Sequence, residues 1–215
     1  MGQKVNPIAL RVGRTIPWSS RWFGDKRLYV KQLFEDIKIR EYLREKLKLA
    51  GVASIEIERL TRSIVITLTV GRPGVVIGRG GSGIEEVKRG LMALLTKIRG
   101  EALKGIKVEL KVQEVKNADL SAQLVAERIA SELERRIPSR RVATKSMERV
   151  MQSGAKGIKI VLAGRIQGAD IARREKFHNG SVPTQTIREI VDYASVAANG
   201  VRGYVGVKVW IYKGN

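Results

Sequence analysis

A cluster of glycines at positions 78–83 constrains the fold more than any other feature of this sequence. Four of these six residues are glycine, and such a density is unfavourable inside a helix or a strand because glycine loses the most backbone freedom on folding. Apolar residues alternate with other residues before the cluster, at 55–57 and 64–70, which predicts two strands. After it, apolar residues recur at intervals of three and four, which predicts a helix beginning near Ser82. The glycines therefore form a loop between a strand pair and a helix.

The residues around this loop predict one α+β unit at 25–116. Val30–Ala50 carries apolar residues mostly at helical spacing and is followed by a glycine, a frequent helix stop. The stretch between the second strand and the helix near Ser82, which includes Val75–Ile77, is predicted as a short turn. Gly100 is predicted as the end of the second helix, and the alternation at 106–112 as a third strand. The predicted order is helix, strand, strand, turn, helix, strand.

The residues 117–215 predict a second α+β unit. Apolar spacing from Ala122 onward predicts a helix that Pro138 ends or kinks, and a shorter helix is predicted at Ser139–Gln152. Strands are predicted at 158–162, Ala169–Phe177, Thr184–Tyr193 and 205–211. Their hairpin-sized spacing predicts an antiparallel sheet with two helices on one face.

The glycine loop fits more than one pattern. Gly78, Gly80 and Gly83 fit the G-x-G-x-x-G pattern of dinucleotide-binding proteins, and Glu101 follows roughly 20 residues on as the acid that would bind ribose. Glu101 precedes the next strand instead of ending it, however, and no series of strand-helix units follows to build a doubly wound sheet. A glycine turn that serves only the backbone geometry is a further possibility.

The pattern that we favour is the G-x-x-G loop of a KH domain, formed by Gly78, Arg79, Gly80 and Gly81. Its glycines allow the sugar-phosphate backbone of RNA to approach without a Cβ in the way. The amides at the start of the following helix favour a phosphate there, and Arg79 adds a positive charge. In KH domains the loop clamps about four nucleotides of a single strand. These four residues are therefore predicted to bind RNA.

The balance of charge is the second strong constraint. Lys and Arg number 41 against 21 Asp and Glu, so the formal net charge is +20, and a folded body with that excess commonly binds nucleic acid. Cysteine is absent and His178 is the only histidine, which leaves little for metal binding or general-base catalysis. We therefore predict no enzyme, no catalytic residue, no metal and no cofactor. No apolar run is long enough to span a membrane, so no membrane partner is predicted.

Three stretches hold most of the excess charge. Residues 1–24 contain four cations and no acid, which is typical of transit peptides, but their turn residues and aromatics favour an arm that docks onto a partner. Residues 135–149 carry a net +5 and residues 165–188 a net +3. Arginine binds phosphate bidentately, and a stripe of cations follows a nucleic-acid backbone without reading its sequence. The cations predicted to contact RNA in this way are Lys4, Arg11, Arg14, Arg21, Arg135, Arg136, Arg149, Arg165, Arg173, Arg174 and Lys176.

Fragments spread over the whole chain resemble the bacterial small-subunit ribosomal protein S-three family. In order along the chain they are MGQKVNP at 1–7, PGVVIG at 73–78, GAKGIK at 154–159, ADIAR at 169–173, VP at 182–183 and GVKVWIYKG at 206–214. Each fragment alone is modest, but the set in this order is highly specific.

The resemblance implies a type II KH domain at 25–116, preceded by a basic arm at 1–24 and followed by an α+β domain at 117–215. The cations named above would then contact small-subunit ribosomal RNA in the head of the subunit. The resemblance implies a structural constituent of the ribosome in the cytoplasm or in a plastid, with small-subunit proteins S-ten and S-fourteen as neighbours. The alternative function is a free KH-type RNA chaperone or regulator.

The resemblance also implies a basic cluster where messenger RNA enters the subunit, associated with guiding and unwinding the message. The positions that carry over are Arg140 and Arg141. The family pattern places the next cation at Thr144, whereas here Lys145 follows one residue later, a step that rotates the charge by about 100° on a helix. Lys145 is included as the third predicted contact with messenger RNA.

Overall fold

A computed structural model of the chain describes residues 5–60, 62–99, 107–200 and 202–214. The chain divides into two compact units: Met1–Pro17 together with Lys116–Asn215, which we call the C-terminal unit, and Trp18–Val115, which we call the KH unit. The predicted arm at 1–24 is thus divided between the two units. Lys4, Gly100, Glu101 and Ile106, each of which carried a prediction, lie outside the described residues.

Helices and strands are numbered in chain order. The helices are α1 (Pro7–Arg11), α2 (Lys26–Lys46), α3 (Pro73–Ile77), α4 (Ser82–Arg99), α5 (Ala122–Glu134) and α6 (Ser139–Gln152). The strands are β1 (Ser20–Arg21), β2 (Val52–Arg59), β3 (Ser63–Val70), β4 (Lys107–Glu114), β5 (Gly157–Gly164), β6 (Arg173–Gly180), β7 (Val191–Gly200) and β8 (Gly203–Tyr212).

The KH unit is built on a mixed sheet with the strand order β1-β2-β3-β4. β2 and β3 pair antiparallel, while β3 and β4 pair parallel along their whole length. Parallel neighbours need a crossover connection, and α3 and α4 supply it. Helices α2 and α4 pack together, and the core between them and the sheet includes Ile39, Leu43, Ile57, Ile66, Leu68, Leu91 and Leu95, each 0% exposed.

The predicted element order of this unit is confirmed, with one correction at Val75–Ile77. That stretch is the end of helix α3 and not a turn, because Pro73 stands at the start of the helix, where its fixed φ is favourable. The antiparallel β2–β3 pair at the centre of the sheet is incompatible with the doubly wound parallel sheet that dinucleotide binding would require.

A buried arginine ties α2, β2 and the stretch before α2 together. Arg59 bonds the Asp36 carboxylate at 2.5 Å and the Glu35 carboxylate at 2.8 Å, and none of the three side chains is more than 5% exposed. Asp36 also accepts hydrogen bonds from the Trp22 indole at 2.8 Å and the Ser20 hydroxyl at 3.1 Å. This carboxylate therefore holds the residues around β1 on the KH unit.

The C-terminal unit is built on an antiparallel sheet with the strand order β6-β5-β8-β7. Helix α5 packs on β7 and β8, and α6 packs on β5 and β6, so both helices cover the same face. The core between them includes Ile129, Ala143, Ile158, Ile160, Leu162, Val207, Val209 and Ile211. The predicted antiparallel sheet with two helices is confirmed, and α6 has the predicted bounds.

Two predicted strands of this unit need correction. The strand predicted at Ala169–Phe177 begins only at Arg173, and the prediction of a strand from Thr184 is wrong because β7 begins at Val191. The preceding residues form no ladder, since several carbonyl groups between residues 183 and 189 bond the guanidinium of Arg11 instead.

Arg11 lies at the end of α1 and is 0% exposed. Its guanidinium donates to the carbonyl oxygens of Glu189 at 2.6 Å, Thr186 at 2.7 Å, Pro7 at 3.0 Å and Pro183 at 3.1 Å. Burial lowers the pKa of Arg11 from its ordinary value, and the charge of Glu189 partly offsets this effect. The prediction that Arg11 contacts RNA is therefore wrong, because its donors are used inside the protein.

The α5 and α6 helices end in the same capping motif, in which one residue is left-handed and two amides bond back onto the last turn. Gly154 (φ 93°) is the left-handed residue after α6, whereas Arg136 (φ 62°) occupies that position after α5. The Arg136 amide bonds the Leu133 carbonyl at 2.9 Å, and the Ile137 amide bonds the Glu132 carbonyl at 3.2 Å. A non-glycine residue is therefore held in a strained conformation between the two helices.

We expect Arg11→Lys to lower the free energy of unfolding of the C-terminal unit by about 2–4 kcal/mol, because an ammonium leaves several buried carbonyls unpaired. Native-state hydrogen exchange of the β8 amides measures this change. Arg14→Lys is the matched control, since Arg14 is exposed, and it should change the free energy by less than about 0.5 kcal/mol. Equal effects of the two substitutions would show that the buried guanidinium does not hold the unit together.

We expect Arg136→Gly to raise the melting temperature, because relief of the left-handed strain is worth about 1 kcal/mol. Arg135→Gly removes the same charge at the preceding residue, whose φ is −76°, and should lower the melting temperature because glycine is entropically unfavourable there. Calorimetry of both variants checks the opposite signs. A loss of stability in both would contradict the strain at Arg136.

Candidate nucleic-acid interface

The glycine cluster at 78–83, which joins α3 to α4 and extends into the first turn of α4, contains two kinds of glycine. A Cβ on Gly78 (φ 70°) would lie 2.9 Å from the Gly83 nitrogen, and a Cβ on Gly83 would lie 2.5 Å from the Val76 carbonyl oxygen. Gly80 (φ 62°) and Gly81 (φ 85°) are also left-handed, but a Cβ on either would meet no heavy atom within 4 Å. The first pair is therefore required by packing, whereas the backbone at Gly80 and Gly81 is open to an approaching ligand.

This open backbone leads into the first turn of α4. The Ser82 hydroxyl donates to the Arg79 carbonyl oxygen at 2.9 Å, which fixes the turn, and the Arg79 side chain is exposed. An uncovered backbone, the positive end of a helix dipole and a guanidinium together suit a phosphate. The structure thus brings Arg79, Gly80 and Gly81 together as the sequence predicted, with Gly78 as the residue that shapes the loop.

The outer face of α6 forms a second basic surface, which we call the α6 groove. This shallow groove is lined by Pro138, Arg140, Arg141, Thr144, Lys145 and Glu148. Its three cations are exposed, and within the described part of the chain none of them forms an ion pair. Lys145 therefore lies on the same groove as the two arginines, although the family pattern has its cation at Thr144. Arg149, exposed one turn further on, extends the basic face.

The inner face of α6 fixes the groove to the sheet. Val142, Ala143 and Val150 are at most 1% exposed, and the Ser139 hydroxyl at the start of the helix donates to the Glu175 carboxylate on β6 at 3.0 Å. The cations therefore project from a rigid frame, so less conformational entropy is lost when they bind a ligand.

The remaining predicted contacts in the C-terminal unit do not form one surface. Arg173 bonds the Glu175 carboxylate at 2.9 Å, and Arg165 bonds the Asp170 carbonyl at 3.0 Å, so both are partly occupied inside the protein. Arg174 and Lys176 are exposed and lie on the sheet face opposite the helices, because alternate strand residues face opposite ways.

The predicted cations in residues 1–24 belong to both units, and two further predicted cations lie at the end of α5. Arg14 is exposed beside an open groove formed with residues 185–188 of the C-terminal unit. Arg21 lies on the KH unit and pairs with Glu58 at 3.1 Å. Arg135 and Arg136 are exposed at the end of α5. These positions leave the cations accessible, and their contact with RNA stays a prediction.

A basic aromatic face on the open side of the C-terminal sheet was missed by the sequence reasoning. The register places Trp210 between Lys159 and Tyr193 on neighbouring strands. The Trp210 ring lies 5.1 Å from the Tyr193 ring centroid and 5.4 Å from the Lys159 ammonium nitrogen. The alternation at 205–211 contained the signal, because its valines face the core and Lys208 and Trp210 must then face the other way. Lysines and aromatic rings together are typical of surfaces that bind nucleic acid.

Within the described ranges, no three side chains of His, Asp or Glu are grouped so that they could hold a metal ion. No described helix is both long and apolar enough to cross a bilayer. His178 is exposed on β6.

Two family models match the chain. The model described as "KH domain" matches residues 38–120, and the model described as "Ribosomal protein S3, C-terminal domain" matches residues 129–211. The first match contains the glycine loop, and the second contains the α6 groove and the basic aromatic face.

Individual relatives extend this similarity to the whole chain. The small ribosomal subunit protein uS3 of Finegoldia magna is 48% identical over 214 residues, which cover 100% of this chain and 84% of that protein. The uS3 proteins of Desulforamulus reducens and Bacillus thuringiensis are 46% and 48% identical, and the matches cover 100% of this chain and 93% of each relative. The chain belongs to the family of small ribosomal subunit protein uS3.

Proposed function

We propose that this chain is a structural constituent of the small ribosomal subunit, that it binds small-subunit ribosomal RNA in the head, and that its α6 groove guides messenger RNA. The names of its relatives support the first part, since each is a small-subunit protein. The observation that carries the last part is the α6 groove, with three exposed cations on one fixed helix face.

The chemistry of the groove suits a strand of any sequence. Arg140, Arg141 and Lys145 offer charge-assisted hydrogen bonds to phosphate oxygens, and such contacts position a strand without reading its bases. A channel for messenger RNA must accept every message, so binding through the backbone is the mode required. The groove contributes passively to unwinding, because contact with an opened strand lowers its free energy relative to the paired state.

The anchoring role falls to the other exposed cations. Arg14, Arg174 and Lys176 would contact ribosomal RNA, while the glycine loop of the KH unit offers a second phosphate site. From the family resemblance we infer that small-subunit proteins S-ten and S-fourteen are neighbours of this chain. We also infer that it is bound to ribosomes of the cytoplasm or of a plastid. The protein family is structural, so the contribution to translation is one of binding and positioning.

A free KH-type RNA regulator is the second candidate function, and the open glycine loop favours it. Sedimentation of cell extracts at physiological salt separates the two candidates. The ribosomal proposal requires the chain to co-sediment with small subunits. A chain found mainly in the ribosome-free fraction would support the regulator.

The glycine loop is tested by a matched pair of substitutions. Asn and Asp both tolerate a left-handed conformation, and a side chain at Gly80 meets open space, so Gly80→Asn and Gly80→Asp should both fold. We expect Gly80→Asp to bind single-stranded RNA about tenfold more weakly than Gly80→Asn, because a carboxylate repels the phosphate. Fluorescence anisotropy at fixed ionic strength measures the affinities. Equal affinities would show that no phosphate binds there.

The α6 groove is tested by charge reversal. We expect Arg140→Glu/Arg141→Glu to slow translation through a stable messenger hairpin by about fivefold, which corresponds to a loss of about 1 kcal/mol from two phosphate contacts. Single-ribosome or bulk translation of hairpin-containing messages measures the rate. Subunit assembly, followed by sedimentation, should remain intact.

An unstructured message is the matched control for this experiment. Its translation rate should change little, because the reversed charges matter most where a strand must be opened. Equal slowing on both messages would contradict a role of the α6 groove in unwinding.

A further inference from the structure

The C-terminal unit contains a largely apolar cavity beside the α6 groove. Its volume is about 300 Å³, and Leu133, Ile137, Ile166, Ala198 and Val205 contribute to its lining. An apolar cavity of about 150 Å³ accepts a benzene ring, so this cavity has room for a purine base. The α5–α6 turn, the β5–β6 turn and the β7–β8 hairpin enclose it.

Two cations border this apolar space. Arg136 and Arg165 both line the cavity, and both are exposed to solvent. Arg165 is oriented by two hydrogen bonds to the Asp170 carbonyl oxygen, at 3.0 and 3.2 Å. An apolar cavity bordered by two guanidinium groups suits a flat apolar ring that carries an anionic group.

The backbone around the cavity is strained. Among the described residues, Arg136 (φ 62°) and Gln167 (φ 58°) are the non-glycine residues with a positive φ, and both line the cavity. Strained backbone of this kind is often found at ligand-binding sites. Because Gly154 serves the same cap after α6, the turn itself does not require an arginine. The Arg136 side chain therefore lies at the cavity with a backbone conformation that glycine would adopt at lower cost.

The cavity and the α6 groove are adjacent. Pro138 lines both of them, with Arg136 on the cavity side and Arg140 and Arg141 on the groove side. A strand whose phosphates follow the groove would therefore pass the mouth of the cavity. This adjacency connects a backbone-binding surface with a space of the size of one base.

We propose that the cavity takes one unstacked base of single-stranded RNA, with purines favoured by its volume, while Arg136 and Arg165 hold the phosphate of the same nucleotide. The proposal rests on the proposed function, because the cavity would bind a base of the same strand that the α6 groove guides. Proteins that recognise single-stranded RNA commonly take splayed-out bases into pockets.

Base capture would make the groove selective for an opened strand. Phosphates are present on duplex and single-stranded RNA alike, so cations alone do not select one form over the other. A base is free to leave the stack at low cost only when it is unpaired. A cavity that holds an unstacked base therefore stabilises the opened strand and not the duplex.

The test measures the coupling between one cavity residue and the bases of the ligand. The full chain is titrated with an eight-nucleotide oligoadenylate and with an abasic strand of equal length and charge. In the unmodified chain we expect the oligoadenylate to bind at least fivefold more tightly. Ala198→Met fills the cavity and should remove most of this preference, while affinity for the abasic strand stays unchanged. Ala197→Met, at the exposed neighbouring position on the opposite sheet face, should leave the preference intact.

A second pair of variants keeps the test independent of core packing. Arg136→Gly relieves strain and Arg135→Gly removes the same charge outside the cavity, so a larger loss of oligoadenylate affinity is expected for Arg136→Gly. A preference for bases that is equal in Ala198→Met and the unmodified chain, with equal losses in the two glycine variants, would overturn the cavity site. The melting temperature of each variant reports whether it is folded.

Adenosine monophosphate and ribose 5-phosphate distinguish a strand from a free nucleotide. Tight binding of the free nucleotide, with no preference between the two strands, would overturn the assignment to RNA. The groove itself is checked by Arg140→Gln/Arg141→Gln with the abasic strand. If these variants bind the abasic strand normally, the proposed function of the groove fails. If they bind it weakly but the unmodified chain shows no preference for the oligoadenylate, only the cavity proposal fails.

Discussion

Positive charge that cannot be buried without an internal partner is the constraint on which this structure depends. The chain has a net charge of +20, but the part that the structure describes buries few arginine side chains. The side chains of Arg11 and Arg59 are buried, and each has partners inside the protein. Arg59 lies against two carboxylates, and Arg11 is surrounded by carbonyl oxygens. Cations without such partners stay on the surface, where the cost of desolvation is avoided and a polyanion can reach them. The same rule that stabilises each core therefore leaves the cations of the candidate RNA-binding surfaces exposed.

Each candidate surface combines charge with a fixed backbone. The glycine loop joins Arg79 to a helix N-terminus, and the α6 groove mounts its cations on a helix whose other face is part of the core. The strained cap at Arg136 extends the second surface into a cavity. On each candidate surface, binding would then require little reordering of the protein, so that sequence-independent contacts would be sufficient to hold a strand.

Local periodicity predicted much of this fold, and long-range contacts account for what it missed. The spacing of residues along the chain was enough to predict α6 with its basic face, and also the central strands of both sheets. The prediction of a strand at Thr184–Tyr193 failed because carbonyls there bond Arg11, which is 175 residues away from Thr186 along the chain. The cavity could not be predicted, since three separate turns form it. Lys208 and Trp210 could have been assigned to the open sheet face from alternation, but their partner Lys159 required the strand register.

The reactivity of individual arginines toward a dicarbonyl reagent, read by mass spectrometry in small subunits with and without bound messenger RNA, tests the central claim most directly. Arg11 should be unreactive in every state because it is buried. Arg140 and Arg141 should react in empty subunits and become protected when a message is bound, whereas Arg14 and Arg174 should be protected in both states. Protection of Arg140 and Arg141 in empty subunits, or their full reactivity with a message bound, would contradict the account.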